Sequence, residues 1–422
     1  MKRQPSEIEI MAPAGNFESL NAAIQGGANA VYFGVGDLNM RSHSANNFSI
    51  ESLQEIVSIC SEKGVRSYLT LNIVLYDQDL AAMRDTIDAA KRAGVSAIIA
   101  SDISVIMYAR EVGMEVHIST QLNVSNIESV RYHAKFADVI VLARELTLNQ
   151  IKSISDAIER EQITGPSGKP VALELFCHGA LCMAVSGKCY LSLHEYNASA
   201  NRGSCYQLCR RGYEVTDLET GRSLEVDNKY IMSPKDLSTI AFTNLIIDAG
   251  VTVLKIEGRA RSAEYVKTIT SAYRKAADAV CEGTYTPELV AELENQLSSV
   301  FNRGFWDGYY QGARLGEWSE VYGNKATRRK RYIGKVTNFF SKLSVAEVLI
   351  ETGELKTGDD LLIIGPSTGV VEYVLNEIRV DLKQVDGTVK GEYCSIPVPE
   401  GVRLRRSDKV YIWEENDFNQ NK

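Results

Sequence analysis

The stretch IEIMAPAGNFESLNAAIQGGANAVYFG, residues 8–34, decides the fold. It begins with a short apolar run, 8–12, which a Pro-Ala-Gly-Asn turn interrupts. A helical pattern follows over 17–26, and a second apolar run, 30–34, comes after a pair of glycines. Short buried strands that alternate with helices are typical of a parallel sheet covered by helices on both faces.

The same alternation continues to about residue 256. Further strands are predicted at 67–73, 96–100, 115–119, 139–142, 173–176, 230–233 and 251–256. Helical patterns such as 50–63 and 79–93 separate most of them. About eight such units within ~250 residues favour a closed (β/α) barrel, although the pattern alone leaves a doubly wound sheet open.

The chain changes character after the predicted barrel. An acidic helical pattern at 287–301 is followed by a glycine and aromatic segment and by the tetrabasic run 328–331. Beyond it, short β patterns separated by Gly and Asp turns predict a small β-barrel. The tetrabasic run is either a solvated linker or a contact for RNA phosphates, and the sequence does not separate the two.

The predicted fold class is therefore α/β. We expect a TIM-like (β/α) barrel over 5–280, a helical and aromatic connector over 281–330, and a C-terminal β-barrel domain over 331–413.

Composition sets limits on partners and location. The 422 residues are 45% hydrophobic and 24% charged, with a net charge of −8. A net negative charge argues against binding nucleic acid by bulk charge, although a local basic patch can still bind an RNA. The N-terminus lacks the pattern of a signal peptide and no stretch approaches the ~20 apolar residues of a membrane span, so we expect a cytoplasmic protein.

A (β/α) barrel gathers the residues that follow its strands at one rim. Here these residues are mostly polar, and any one of them is also an ordinary turn residue. Their shared placement makes them a candidate site. The predicted rim residues are Asn16, Asn39, Met40, Arg41, Asn72, Asp102, Thr120, Gln121, Asn123, Arg144, Glu145, Lys235, Asp236, Glu257, Gly258 and Arg259.

The segment 177–211, which follows a predicted barrel strand, contains five of the eight cysteines. Six residues separate Cys182 from Cys189, fifteen separate Cys189 from Cys205, and three separate Cys205 from Cys209. In a reducing compartment such a group indicates metal binding. Four thiolates can hold a structural zinc ion, whose ligands usually come in close pairs, or a 4Fe–4S cluster, whose ligand spacing varies more. Spacing alone leaves both open.

Several stretches together resemble the collagenase-like peptidase family over essentially the whole chain. They are ELFCHGALC at 174–182, SGKCYLS at 186–192, APAGN at 12–16, STQ at 119–121, SPKDL at 233–237 and KIEGR at 255–259, which RS follows at 261–262.

The resemblance implies an activity and a cofactor. Characterised members are linked to hydroxylation of RNA or of quinone precursors, with a 4Fe–4S cluster held by four cysteines. Length and the added β domain are most similar to the branch that makes 5-hydroxyuridine at the wobble position of tRNA, position 34, in a reaction that depends on prephenate and not on dioxygen. Carried over to this sequence, the cluster ligands are Cys182, Cys189, Cys205 and Cys209. Cys177 is a neighbour of the site, and no catalytic residue is implied.

A dianionic co-substrate or an RNA phosphate requires cations. The substrate-binding candidates are Lys235, Lys255, Arg259 and Arg261, near the ends of the last predicted strands. Arg202, Arg210 and Arg211 are expected close by. The alternative is that these side chains form ordinary surface ion pairs.

Two other function classes remain. A collagenase-like peptidase needs a nucleophile beside a base. Among the five histidines only His178 adjoins a cysteine, Cys177, and neighbouring residues on a strand point to opposite faces. The HExxH motif of zinc proteases is absent from the sequence. The third class is a non-catalytic iron–sulfur or RNA-binding partner of a hydroxylase complex, with a paralogous protein as the other subunit.

Overall fold

The structure, a computed structural model, describes residues 3–42, 47–224, 232–312, 316–319 and 323–416. Within it, alternating strands and helices form a closed barrel. The first seven barrel strands are β1 (Glu9–Pro13), β2 (Ala30–Phe33), β3 (Arg66–Leu71), β4 (Ala97–Ala100), β5 (Glu115–Ile118), β6 (Val139–Val141) and β7 (Ala172–Gly179). Three short strands, β8 (Val215–Thr216), β9 (Ser223–Leu224) and β10 (Asp236–Ser238), precede the eighth barrel strand, β11 (Val253–Ile256).

The barrel closes through β11. Each of β1 to β6 pairs in parallel with the next strand, and β11 pairs in parallel with both β7 and β1. Both ends of the sheet are thereby joined, which confirms the predicted α/β class with a TIM-like barrel and excludes the doubly wound alternative.

Helices cover the outside of the barrel. They are α1 (Phe17–Gln25), α2 (Leu53–Glu62), α3 (Leu80–Ala93), α4 (Ile103–Glu111), α5 (Ile127–His133), α6 (Leu148–Arg160), α7 (Leu191–Tyr196), α8 (Thr243–Asp248), α9 (Ala263–Glu282) and α10 (Pro287–Ser298). Two predicted rim residues prove to be helix caps: Asn16 accepts a hydrogen bond from Ser19 N at the start of α1, and Asp102 from Ser104 N at the start of α4. Such caps supply acceptors for the free N–H groups of the first turn.

One predicted barrel strand is wrong. The stretch 230–233 begins outside the described residues, and its described end, Met232 and Ser233, is not in a strand. The nearby β10 pairs antiparallel with the end of β7 and lies outside the closed barrel. It also pairs with β12 (Phe305–Trp306), which returns from the connector after α10. Lys235 and Asp236 therefore do not follow a barrel strand.

The barrel interior is filled by side chains from alternate strand positions, as a closed barrel of this size requires. Met11, Tyr32, Tyr68 and Ile99 belong to this inner cluster and are all nearly inaccessible to solvent. The larger apolar core lies between the strands and the surrounding helices.

A second β unit follows the connector. Its strands are β13 (Arg328–Phe340), β14 (Val345–Ile350), β15 (Glu354–Lys356), β16 (Asp360–Gly365), β17 (Gly369–Val374), β18 (Ile378–Val380), β19 (Lys383–Val385), β20 (Gly387–Val389), β21 (Tyr393–Pro397) and β22 (Lys409–Glu415). Eight of them form one antiparallel sheet in the order β17-β16-β22-β13-β14-β21-β18-β19, and β15 pairs with β20. The unit has an apolar core of its own.

The tetrabasic run is not a linker. Residues 328–331 open β13, where they pair in register with Ile412 to Glu415 of β22. Arg329 and Arg331 both form ion pairs with Glu414, and Arg328 pairs with Asp360. The linker interpretation is therefore wrong, while the contact with RNA phosphates stays a prediction. The sequence has no local signal for the pairing of Arg329 and Arg331, because Glu414 lies more than eighty residues further along the chain.

The β unit packs on α1 and α9 of the barrel. Asn21 Nδ2 donates to Pro366 O at 2.7 Å, and Gln25 Nε2 donates to Thr368 O at 2.8 Å. Lys330 forms an ion pair of 2.8 Å with Glu264 at the start of α9. One member of the tetrabasic run thus joins the β unit to the barrel.

Candidate functional site

The cysteine segment begins where β7 ends. Gly179 has φ of +107°, and a Cβ there would lie 2.5 Å from Glu257 O, so the close approach of β7 to the residues after β11 requires glycine. Further along, a Cβ on Gly203 would lie 2.8 Å from Asn39 O. The segment is thus in contact with residues that follow both β11 and β2, which places it over the carboxyl end of the barrel.

Arg202 fixes the outer side of the segment. Its guanidinium forms an ion pair of 2.7 Å with Asp79 and lies 4.0 Å from the ring centroid of Tyr76. Arg211 donates to Tyr196 Oη within the segment. Neither arginine lines the cavity described next. Arg202 therefore holds the segment on its outer side, whereas Arg211 makes only an exposed contact within it.

A cavity of about 230 Å³ lies between the cysteine segment and the carboxyl end of the barrel. Nine predicted rim residues line it: Met40, Arg41, Asn72, Thr120, Gln121, Arg144, Glu257, Gly258 and Arg259. The rim residues that do not line it are Asn16, Asn39, Asp102, Asn123, Glu145, Lys235 and Asp236. The carboxyl end of a (β/α) barrel is where the active sites of such enzymes lie.

All four predicted ligand cysteines, Cys182, Cys189, Cys205 and Cys209, line this cavity. Burial raises the pKa of the Cys209 thiol; Arg210 opposes this, and the other three thiols add to it. Each of the other three thiols therefore lies within electrostatic reach of Cys209. Among the described residues, no group of three or more His, Cys, Asp or Glu side chains is close enough to hold a single metal ion.

Cys177 is placed differently. It is fully buried, it does not line the cavity, and its Sγ donates to Lys255 O at 3.3 Å. Burial raises the pKa of this thiol well above its ordinary value. Four thiols thus line one cavity and the fifth lies in the core, and the four match in number and donor type what a group held by four thiolates requires.

Among the described residues, seven cationic side chains line the cavity, against a single carboxylate, Glu257. The cations form two sets. The barrel-mouth group consists of Arg41, Arg144 and Arg259, which line the cavity together with Tyr32 and, like Glu257, act electrostatically on its hydroxyl. The thiol-side group consists of Arg210, Arg261 and Arg303. Arg210 interacts electrostatically with Cys209 and Cys182, and Arg303 interacts electrostatically with Arg210 and Arg261. The seventh cation is Lys255.

Arg259 is the most buried arginine of the cavity, with 6% of its surface exposed. Its Nη1 donates to Asn39 Oδ1 and to Thr70 Oγ1, both at 3.0 Å, and these oxygens are neutral. Burial lowers the pKa of its guanidinium to about 10. A Cβ on Gly34 would lie 2.5 Å from the same Nη1, so glycine at the end of β2 makes room for Arg259.

Glu257 and Arg41 form an ion pair of 2.7 Å. Burial by itself would raise the pKa of Glu257, but Arg41, then Arg144 and Arg259, outweigh it and lower that pKa. The carboxylate is thus ionised and already shared among the cations of the barrel-mouth group.

The thiol-side group is tied to β10. Arg303 Nη1 donates to Asp236 Oδ1 at 3.2 Å, and Arg210 donates to Pro234 O and to Leu181 O. The Arg261 guanidinium lies 3.5 Å from the ring centroid of Phe301 and forms no ion pair with a described carboxylate. Cation–π stacking on Phe301, rather than an ion pair with a carboxylate, thus holds the Arg261 guanidinium in position.

The four substrate-binding candidates lie in different surroundings. Lys255, Arg259 and Arg261 line the cavity, whereas Lys235 lies outside it and forms an ion pair of 2.8 Å with Glu317.

The sequence did not single out three residues of the site and its surroundings, Tyr32, Arg303 and Glu174. The inward direction of Tyr32 follows from the period of β2, but Arg303 is brought back by the pairing of β10 with β12, for which the sequence has no local signal.

The described part of the chain shows no nucleophile and base of the peptidase type at this cavity. His178 is buried, and its Nδ1 lies 3.4 Å from Tyr273 Oη rather than beside a thiol. Burial, and then Arg261, lowers the pKa of His178 to about 3. No serine or cysteine that lines the cavity is hydrogen-bonded to a described histidine.

The fold and the site define a (β/α) barrel protein with a thiol-lined cationic cavity at its carboxyl end. The model of peptidase family U32 matches residues 15–320, and the chain belongs to this family, which confirms the resemblance.

The relatives carry two kinds of name. A protein of Porphyromonas gingivalis W83 called collagenase is 57% identical over 412 residues, 98% of this chain and 99% of the relative. The tRNA hydroxylation protein P1 of Bacillus subtilis is 32% identical over 381 residues, 87% of each chain. The 23S rRNA 5-hydroxycytidine C2501 synthase of Escherichia coli is 35% identical over 320 residues, 74% of this chain and 46% of the relative.

No helix in the described ranges combines the length and the apolar character that crossing a bilayer needs.

Proposed function

We propose that this protein is a cytoplasmic RNA-modifying enzyme that hydroxylates the wobble uridine of tRNA, position 34, to 5-hydroxyuridine in a prephenate-dependent reaction. The tRNA hydroxylation relative of Bacillus subtilis, matched over 87% of both chains, supports tRNA as the substrate. The observation that carries the proposal is the shared cavity: four thiols and seven cations converge on one space at the carboxyl end of the barrel.

The four thiols are proposed to hold a 4Fe–4S cluster. Cys182, Cys189, Cys205 and Cys209 would each supply one thiolate, and Cys177 none. When bound, such a cluster supplies electron transfer at iron.

Conversion of uracil C5–H to C5–OH adds one oxygen atom and withdraws two electrons from the base. The proposal assigns the supply of that oxygen to prephenate and requires a separate two-electron acceptor, to which a bound 4Fe–4S cluster would pass the electrons withdrawn from the base. The chain's own contribution is to bind and orient the two substrates, because positioning alone supplies a large part of catalysis.

The thiol-side group is suited to an RNA phosphate next to the reacting base. Arg210 and Arg261 have no carboxylate partner within ion-pair distance in the described part of the chain, and both line the cavity beside the thiols. Since the net charge of the protein is −8, RNA binding has to depend on such local positive charge. A paralogous protein partner remains part of the proposal as a second subunit.

The test is analysis of tRNA nucleosides by mass spectrometry in a strain that lacks the gene. We expect 5-hydroxyuridine and its derivatives to disappear, to return with the wild-type gene, and to stay absent with Cys205→Ala. Persistence of 5-hydroxyuridine in a strain that also lacks every paralogue would refute the proposal.

A peptidase is the second candidate, because a relative at 57% identity is called collagenase. Its best sequence motif, Cys177 beside His178, is a buried thiol of raised pKa next to an imidazole of lowered pKa, which is the opposite of a reactive pair. Incubation of the iron-loaded protein with gelatin separates the candidates: cleavage that Cys177→Ala abolishes would favour the peptidase, and the RNA-modifying proposal predicts no cleavage.

A further inference from the structure

We propose that the barrel-mouth group, Arg41, Arg144 and Arg259 around Tyr32, is the binding site for the two carboxylates of a small dianionic co-substrate. That the dianion is prephenate rests on the proposed function; the site itself rests on the geometry below.

Arg259 is a buried cation without an anionic partner. Only 6% of it is exposed, its two hydrogen-bond acceptors are neutral oxygens, and it forms no ion pair with any described carboxylate. A buried charge is costly unless it is paired, and buried arginines are normally paired with carboxylates. A ligand carboxylate would supply the missing charge, and the guanidinium offers the planar donor geometry that a carboxylate fits.

Arg144 has free donors at the same place. Its guanidinium lies 3.9 Å from the ring centroid of Phe176, Nη1 donates to Ala180 O at 3.2 Å, and Nε is buried without a hydrogen-bond partner. A buried N–H of this kind costs free energy unless a ligand or a water satisfies it. The stacking fixes the plane of the guanidinium next to the cavity.

The charge balance matches a dianion. Glu257 is the one carboxylate in the barrel-mouth group, and Arg41 is its ion-pair partner. Arg144 and Arg259 are left without a carboxylate among the described residues. The barrel-mouth group thus carries three positive charges against the one negative charge of Glu257, and a dianion would balance the excess of two.

The position favours a small molecule over an RNA backbone. Arg259 lies against the ends of β2 and β3 through Gly34 and Thr70, and it opens only onto a cavity of about 230 Å³. Because Arg259 is only 6% exposed, a small carboxylate can reach its guanidinium more readily than a bulky ribose–phosphate chain can. In the thiol-side group, Arg210 and Arg261 are half-exposed, so this group is the one left to bind the RNA.

The test is calorimetric titration of iron-loaded protein with prephenate alone, in the absence of RNA. Arg144→Gln is the main variant, since Arg144 is only half-buried. Loss of one charged hydrogen-bond donor should weaken binding roughly ten- to hundredfold. Arg259→Lys keeps the charge but loses the paired donors, and it should weaken binding in the same direction. The control is Arg211→Gln, which removes an arginine of the cysteine segment that does not line the cavity.

Affinity for tRNA, measured by fluorescence anisotropy with the same proteins, should change less than about twofold in Arg144→Gln, with folding checked by circular dichroism. The inference is overturned if wild-type protein does not bind prephenate, if Arg144→Gln binds it as wild type does, or if the control or the tRNA affinity falls by the same factor. If the deletion strain keeps its 5-hydroxyuridine but Arg144 still controls binding of the dianion, the proposed function fails and this site stands.

Discussion

Lys255 Nζ lies 2.6 Å from Glu174 Oε1 inside the barrel, where the two side chains are 5% and 0% exposed. The two residues belong to the neighbouring strands β11 and β7. Lys255 also lies 4.8 Å from the ring centroid of Tyr32, and it lines the cavity, whereas Glu174 Oε2 has no hydrogen-bond partner. The ion pair thus connects the barrel interior to the site.

Glu174→Gln should destabilise the protein by about 3–5 kcal/mol, because it leaves the Lys255 charge buried and unpaired. The measurement is the free energy of unfolding from urea titration. The matched control is Glu317→Gln, which breaks the partly exposed pair with Lys235 and should cost less than ~1 kcal/mol. Equal effects of the two substitutions would contradict the prediction.

His178 should make stability fall in mild acid. Its pKa in the folded protein is about 3, mainly because of burial, whereas an unfolded histidine has a pKa of ~6.5. Between these values the unfolded chain binds one proton more, so stability rises with pH across this window and is lost as pH falls through it, by up to ~1.4 kcal/mol per pH unit. Urea titrations at several pH values should show a shallower pH dependence in His178→Gln than in wild type. Identical dependence in both would mean that His178 is not the group responsible.

The iron content of alanine variants should distinguish the four proposed cluster ligands from Cys177. Alanine at Cys182, Cys189, Cys205 or Cys209 removes a thiol from the cavity, so we expect loss of iron and of the brown absorbance after anaerobic purification. Cys177→Ala should keep most of the iron, since Cys177 contacts Lys255 O in the core. Iron loss in Cys177→Ala together with retention in Cys209→Ala is the pattern that the assignment does not allow.

Arg261→Gln should weaken tRNA binding and reduce its salt dependence. If Arg261 contacts a phosphate, the slope of log affinity against log salt should fall by roughly one unit. Arg211→Gln, which carries the same charge change outside the cavity, should leave the slope within error of wild type. Equal slopes in wild type and Arg261→Gln would remove Arg261 from the RNA contact.

Local pattern was enough to predict the alternating strands and helices, whereas closure of the barrel depends on the pairing of β11 with β1, which are distant in the sequence. Strands such as β2 are buried at every residue and are followed by amphipathic helices, so their period is visible without tertiary information. It was not enough at 230–233, because β10 pairs antiparallel with β7 and continues no βα repeat.

The sequence was enough to predict those site residues that lie close together in one segment. The four cavity cysteines are close in sequence, and their spacing marked them. The cationic residues of the site were harder to predict, because the direction of each side chain depends on how distant segments of the chain pack together. Lys235 and Asp236 are neighbours, yet the first pairs with Glu317 and the second with Arg303. Arg202 was expected at the rim, but Asp79 and Tyr76 hold it on the outer side.

The central claim is tested most directly by reconstituting the reaction in vitro with the purified protein under anaerobic conditions. Iron-loaded protein, prephenate and tRNA from the deletion strain are incubated with extract of that strain, which supplies any partner, and the tRNA nucleosides are analysed by mass spectrometry. The account predicts 5-hydroxyuridine at position 34 that requires prephenate and is absent with Cys205→Ala. Formation of 5-hydroxyuridine by Cys205→Ala, or its absence with fully iron-loaded wild-type protein, would contradict it.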